Sequence, residues 1–397
     1  MRSSQRILFA CSLVMTLVLT ACGSSAPQTI VVTQMVQGTP QTVVITATPE
    51  PEGPAAVAGS IQINGAGATF PLPIYTEWTY AYQYVNPAVA VNYQGIGSGG
   101  GKKAIVDGTV DFAGSDSLLT DDEYAAGKDL QMYPAVAGAE VIIYNVAGLA
   151  ADDPALILDR DTLVGIYSAT ITKWNDPAIA ALNPNLASKL PNQAITAVHR
   201  SDGSGTTEIF TRALSSFSED WKNSVGFGSS VEWPVDKAGT GVGGKGNQGV
   251  AAAVQNTPNS LGYVETSYAV ANKLAYAQLI NKAGNTLNAT ADTLQSAMAD
   301  FADAFTPQLT TVIVDGPGAN TWPIAGYTYL VLHTKWTGSC DKAAALLDYI
   351  HWTLTDEGAA KRAADLGYAV LPDDVRAKVL DKLGEVTCDG NAVMAGG

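Results

Sequence analysis

The chain has 397 residues, with 37 acidic against 22 basic side chains and a formal net charge of −15. That balance argues against nucleic acid as a partner. Four cysteines and three well-separated histidines, with no CxxC pair and no HExxH, supply no recognisable metal motif.

Arg2 and Arg6 precede an apolar run from Ile7 to Leu19, followed by Leu19-Thr20-Ala21-Cys22. This reads as a signal peptide over residues 1–21, because the run is too short for a membrane span and ends on small residues. The ending resembles the lipobox of bacterial lipoproteins, which makes Cys22 the candidate for lipidation. An ordinary signal peptide with an incidental cysteine is the alternative. Lipid on Cys22 would hold the exported chain on the outer face of the cytoplasmic membrane. Removing residues 1–21 takes away two arginines and no acids, leaving 20 basic against 37 acidic residues and a net charge of −17.

Residues 22–60 are rich in Thr, Val, Gln and Pro, and no charged residue occurs from Gly23 to Pro49. They read as a tether with a root-mean-square reach of roughly 35 Å as a flexible coil. The near-duplicates Gln28-Thr29-Ile30-Val31-Val32-Thr33 and Gln41-Thr42-Val43-Val44-Ile45-Thr46 have strand propensity, so a hairpin or pairing between molecules is the other reading.

From Ile61 onward strand-like and helix-like runs alternate, which predicts an α/β architecture. Strands are expected at 89–94, 109–113, 141–145, 195–198, 261–264 and 327–332. Helices are expected at 74–85, 102–106, 161–167, 206–214, 248–255, 291–301 and 342–354. The doublets Asp121-Asp122, Asp152-Asp153 and Asp373-Asp374 read as solvated helix starts. Trp174 and the many tyrosines read as packing, His333 as a strand end and His351 as a helix-surface residue. Cys340 and Cys388 remain as one pair for an oxidising compartment, against the alternative of two free thiols.

Three Gly/Ser/Thr-rich stretches run directly into helix-patterned segments: Gly65-Ala66-Gly67-Ala68-Thr69-Phe70, Gly95-Ile96-Gly97-Ser98-Gly99-Gly100-Gly101 and Asp202-Gly203-Ser204-Gly205-Thr206. A helix start offers unpaired N–H groups and the positive end of the macrodipole, so it suits an anion. Thr69 adds a hydroxyl, Phe70 an N–H and an apolar wall, and Ser98 a second hydroxyl. Arg200 suits multidentate recognition of an oxyanion, and Asp202 is placed to hold its guanidinium. Ser204 and Thr206 bring hydroxyls, Gly205 and Thr206 backbone amides. Each segment also has a plainer reading as a capped helix, a turn or a structural ion pair.

Asp116 is the exception in this donor-rich set. A carboxylate facing an anion is unfavourable unless the anion carries a proton to donate, which phosphate does near neutral pH and sulfate does not. Asp116 is therefore the expected selectivity element. Gly95, Gly97 and Gly100 formally satisfy G-x-G-x-x-G, with Asp116 about twenty residues on, so a dinucleotide turn stays open on pattern alone. The second match, Gly241, Gly243 and Gly246, lacks a convincing preceding strand and reads as a flexible loop.

Gly65-Ala-Gly-Ala-Thr-Phe-Pro, Tyr93-Gln-Gly-Ile-Gly-Ser, Val110-Asp-Phe-x-x-Ser-Asp116, Arg200-x-Asp-Gly-Ser-Gly-Thr206, Gly243-Gly-Lys-Gly-Asn247 and Leu261-Gly-Tyr-Val-Glu265 occur in one consistent order. In them the chain resembles the phosphate-binding proteins of bacterial high-affinity phosphate importers. The resemblance implies a two-lobed, type II periplasmic-binding-protein fold with two hinge crossovers and the ligand in the cleft. Lobe 1 would combine residues 61–136 and 324–397, and lobe 2 residues 137–323. It implies inorganic phosphate held by Thr69, Phe70, Ser98, Asp116, Arg200, Ser204, Gly205 and Thr206, no cofactor, no catalysis, and delivery to the permease of an ABC transporter. Gly99 departs from the pattern, where relatives often carry a second Ser; its N–H is expected to remain for the anion. Alternatives are another tetrahedral oxyanion (sulfate, molybdate, arsenate), a secreted phosphatase, or a scavenger or sensor acting without a transporter.

Overall fold

A computed structural model describes residues 29–36, 39–46, 59–150 and 152–394, the first two segments as backbone only. Residues 1–21 and Cys22 lie outside the described residues. The chain divides into two compact units, Met1–Ala55 and Ala56–Gly397. In the first, the duplicated pieces pair with each other: Thr29–Val36 runs antiparallel to Thr39–Thr46, with Thr29 opposite Thr46 and Val36 opposite Thr39. Among the described residues no helix is long and apolar enough to cross a membrane.

The second unit is built on a nine-stranded mixed sheet. Its strands are β1 (Ile61–Gly67), β2 (Val89–Gly95), β3 (Phe112–Ser115), β4 (Leu130–Asn145), β5 (Thr196–Arg200), β6 (Gly241–Gly244), β7 (Ser260–Glu265), β8 (Ala325–His333) and β9 (Ala369–Val370). The order is β2-β1-β3-β8-β4-β7-β5-β6, with β9 also on β4. Two parallel trios result: β2-β1-β3 on one side and β7-β5-β6 on the other. Antiparallel β8 and β4 join them.

The long strand β4 belongs to both halves. Leu130 to Ala139 pair with β8, ending at Ala139 opposite Ala325, whereas Glu140 to Asn145 pair with β7, starting at Glu140 opposite Glu265. The change of partner falls between Ala139 and Glu140, and the Glu140 N–H donates to the Ile324 carbonyl beside it at 2.8 Å. The chain thus passes from one half to the other at two adjacent places.

All six parallel strands point their carboxyl ends toward one region, where ligands of open α/β sheets are bound. Each leads into a loop or helix there: β1 into α1 (Leu72–Val85), β2 into α2 (Ser98–Val106), β3 into Asp116, β5 into α3 (Gly205–Phe217), β6 into α4 (Gly246–Asn256) and β7 into α5 (Thr266–Ala271). The core between sheet and helices is aromatic-rich. Phe210 of α3 stacks on Tyr263 of β7 with centroids 4.2 Å apart, and the predicted packing residue Trp174 is fully buried.

Several sequence expectations shift. Residues 241–244 form an edge strand rather than a flexible loop; four glycine-rich residues without bulky side chains can still complete a parallel ladder beside β5. The run read as 141–145 is the last third of a sixteen-residue strand, because Tyr, Pro and Gly residues upstream masked its continuity. Asp121 and Asp373 open helices, whereas Asp152-Asp153 does not: Asp153 accepts the Ala150 N–H and pairs with Lys189 in a turn. His333 ends β8 and His351 sits on a helix, Cys340–Thr355. Cys340 and Cys388 are joined as a disulfide with Cα atoms 5.5 Å apart.

Candidate functional site

Thr69, Phe70, Ser98, Asp116, Arg200, Ser204, Gly205 and Thr206 are all buried and meet where the two trios end. Hydrogen bonds and close approaches cross from one half to the other. A Cβ built on Gly205 would lie 2.5 Å from both the Asp116 Cβ and the Ser98 Oγ, so α3 and α2 start face to face. Gly97, at φ +85°, turns the chain into α2, and a side chain there would strike Asp202 and the Gly203 carbonyl. That close approach fills the turn of the first G-x-G-x-x-G match with protein.

Each helix start is assembled locally. Ser204 caps α3, its Oγ accepting the Thr207 N–H at 3.0 Å. The amides of Gly205 and Thr206 then remain as first-turn donors without intrahelical partners. The Ser204 hydroxyl proton also remains available. α2 has no side-chain cap, since glycine precedes it. Its Ser98 Oγ instead donates to Asp116 Oδ2 at 3.2 Å and accepts the Asp116 N–H at 3.1 Å. Gly99 differs from the expectation: its N–H donates to the Gly203 carbonyl at 3.0 Å and is consumed in joining the halves.

Arg200 is held as the sequence pattern suggested. Its Nε and Nη2 donate to the two carboxylate oxygens of Asp202 at 2.8 and 2.6 Å, a bidentate pair, while Nη1 donates to Thr206 Oγ1 at 3.1 Å. Burial pushes the Asp202 carboxyl up, but the Arg200 partnership and the Gly246 N–H outweigh it and hold the acid below its ordinary value. Asp202 thereby ties β5 to the start of α4 as well as orienting the guanidinium.

Asp116 accepts from Thr328 Oγ1 at 2.7 Å and from Ser98, leaving lone pairs for one more donor. Burial raises its pKa from 3.8 to about 7, against the opposing pull of Thr328, Arg200 and Ser98. Two further acids lie below, facing each other across β4 and β7: Glu140 and Glu265. Both Glu140 carboxyl oxygens are buried without a hydrogen-bond partner among the described residues, and burial, with Asp116 nearby, lifts its pKa well above the usual range.

Glu265 is tied into a chain of oxygens. The Tyr368 hydroxyl lies 2.6 Å from the Phe70 carbonyl and 2.9 Å from Glu265 Oε2. The Tyr368 hydroxyl points its one proton at these two acceptors, and Glu265 Oε2 also accepts the N–H and the hydroxyl of Ser267. Burial raises the Glu265 pKa to about 8, against the opposing pull of the Ser267 and Tyr368 hydrogen bonds. Tyr268 donates to the Thr69 carbonyl, which ties α5 to the loop after β1.

Asn247, Thr328, Glu140, Glu265, Tyr268 and Tyr368 escaped the sequence reading as site residues. Asn247 and Glu265 closed two of the motifs quoted for the resemblance, and an amide at a glycine-rich helix start was the available signal. The others come from strands, a helix and a loop spread along the chain, with no local pattern around them.

A family profile for the PBP superfamily domain matches residues 19–357. The phosphate-binding protein PstS of Pasteurella multocida is 40% identical over 317 residues, which cover 80% of this chain and 88% of the relative. The phosphate-binding protein PstS of Methanocaldococcus jannaschii is 38% identical over 330 residues, covering 80% and 84%. A crystal structure of a phosphate-binding protein from Stenotrophomonas maltophilia superposes with a TM-score of 0.59 at 21% identity over 83% of this chain and 99% of that one, a likeness of fold. The chain therefore belongs to the PBP superfamily and, within it, to the PstS phosphate-binding proteins.

Proposed function

We propose that this protein captures inorganic phosphate outside the cytoplasmic membrane and delivers it to the permease of an ABC importer. The observation that carries the reading is a buried set of donors from both halves converging beside Asp116, a carboxylate with lone pairs left for one more donor. Hydroxyls of Thr69, Ser204 and Thr206, amides of Phe70, Ser98, Gly205 and Thr206, and the Arg200 guanidinium would enclose the anion, with the Ser98 hydroxyl holding Asp116. Asp116 would accept the one hydrogen that phosphate retains near neutral pH. The relatives named as phosphate-binding proteins support the same ligand.

The chemistry is binding without a covalent step. Ser204, the best-placed hydroxyl for a nucleophile, is engaged as a helix cap with Thr207 instead of with a base. We read the passage of β4 between its two partners, together with the neighbouring passage at Ile324, as the hinge between two lobes, residues 61–136 with 324–397 and residues 137–323. Hinge closure would bury the anion in a low-dielectric site, where each polar contact strengthens. Lipid on Cys22 would keep the domain near its permease.

Calorimetry at pH 8 on protein stripped of bound anion tests the reading. Phosphate should give a binding isotherm and sulfate none, and Asp116→Asn should weaken phosphate while letting sulfate bind. Equal heats for the two anions in the unaltered protein would remove Asp116 from its assigned role.

A further inference from the structure

Asn247 touches both halves of the cage and is itself fully buried. Its Nδ2 donates to Thr69 Oγ1 and to Thr206 Oγ1, each at 3.0 Å, and its backbone N–H donates to the same Thr69 Oγ1 at 3.1 Å. Its Oδ1 accepts the Glu265 N–H at 2.9 Å. That last bond settles which end of the amide is which, because a backbone N–H needs an acceptor.

A hydroxyl has two lone pairs and one proton. On Thr69 both lone pairs are taken, by the backbone and side-chain N–H of Asn247. On Thr206 they are taken by Asn247 Nδ2 and Arg200 Nη1. Each threonine is left with its proton alone to offer. Without Asn247 both hydroxyls could rotate and accept, and a protonated oxygen of the guest could sit against them.

We propose that Asn247 is a positioning and selectivity residue that sets Thr69 and Thr206 as obligate donors. The inference rests on the phosphate reading. The oxygens of the anion that face these two threonines must then be unprotonated, one supplied from each side of the cleft. The protonated oxygen is thereby turned away from both threonines and toward Asp116, so Asn247 orients a monoprotonated tetrahedral guest without touching it.

The test is a double-mutant cycle on phosphate affinity, by calorimetry on the anion-stripped protein. Asn247→Ala should weaken phosphate about tenfold or more in the otherwise unaltered chain, the loss of two oriented hydrogen bonds. In a Thr69→Val/Thr206→Val background the same change should cost less than about threefold, because there are no hydroxyls left to orient. A purely structural residue would cost the same in both, and that result overturns the proposal. Should Asn247→Ala not fold, the isosteric Asn247→Asp, which reverses the hydrogen-bond polarity, is expected to weaken phosphate by about a hundredfold. Affinity within threefold of the unaltered protein overturns the proposal there too. Absence of phosphate binding in the unaltered protein would instead defeat the phosphate reading, and the role of Asn247 with it.

Discussion

Gly99 and Gly203 meet backbone to backbone: the Gly99 N–H donates to the Gly203 carbonyl at 3.0 Å, and a Cβ on Gly99 would come within 3.1 Å of the Gly203 Cα. One glycine opens α2 in the first half and the other precedes α3 in the second. With Gly97 and Gly205 they form a seam where side chains are absent because two helix starts abut. The seam explains why glycines cluster at both places: each lets one backbone reach the other.

Gly205→Ala tests that seam. Its added methyl would lie 2.5 Å from the Asp116 Cβ and the Ser98 Oγ, atoms of the opposite half. Overpacking of this kind costs ~1–3 kcal/mol, so phosphate affinity should fall roughly 10- to 100-fold. Small-angle scattering should show the unaltered protein compacting with phosphate and the variant compacting less. Unchanged affinity would mean that the halves do not close against Gly205.

Acidity should stabilise the anion-free protein. Asp116 is raised from 3.8 to about 7, Glu265 from 4.5 to about 8, and Glu140 well above its ordinary value, burial being the leading cause in each. Between pH 4 and 8 the native state therefore holds more protons than the unfolded chain, and stability falls as pH rises. Thermal melting without phosphate should show a higher midpoint at pH 5 than at pH 8.5. Glu265→Gln, which removes one of the raised carboxyls at nearly equal volume and keeps an oxygen to accept from Tyr368, should flatten that slope. A midpoint that rises with pH over this window would contradict protonated acids beneath the cage.

Arg200→Ala should weaken phosphate binding far more than Lys245→Ala. Arg200 is buried and leaves Asp202 unpaired when truncated, a loss of ~2–5 kcal/mol for a desolvated charge pair. Lys245 is exposed beside the start of α4 and makes no cage contact. Titrations that show comparable losses would place the anion elsewhere.

The Cys340–Cys388 bridge spans 48 residues. Replacing both cysteines by serine should destabilise the protein by up to about 4 kcal/mol in the chain-entropy model. The bridge lies away from the cage, so phosphate affinity should not change. Denaturation with and without reductant, alongside a phosphate titration, separates the two effects.

Much of the cage was legible because its parts are local. Ser204 caps the helix that it precedes, Asp202 pairs with Arg200 two residues earlier, and glycine-rich turns end the strands ahead of α2 and α3. Patterns of this kind depend on neighbours along the chain. The strands were legible where apolar residues ran together, as at Val89–Val91 of β2 and Leu330–Leu332 of β8, and not at β6, whose glycines carry no periodicity, nor along the first two-thirds of β4.

The amino-acid order alone determined which segments become helix starts, which side chains can donate to an anion, and that one acid stands among them. Tertiary structure decided what each group does with its proton. Thr328 reaches Asp116 across 212 positions, Asn247 reaches Thr69 across 178, and Tyr368 reaches Glu265 across 103. Whether a hydroxyl gives or takes, and whether a buried carboxyl is charged, depends on which partners fill its lone pairs and exclude water. Those partners arrive only when distant strands align.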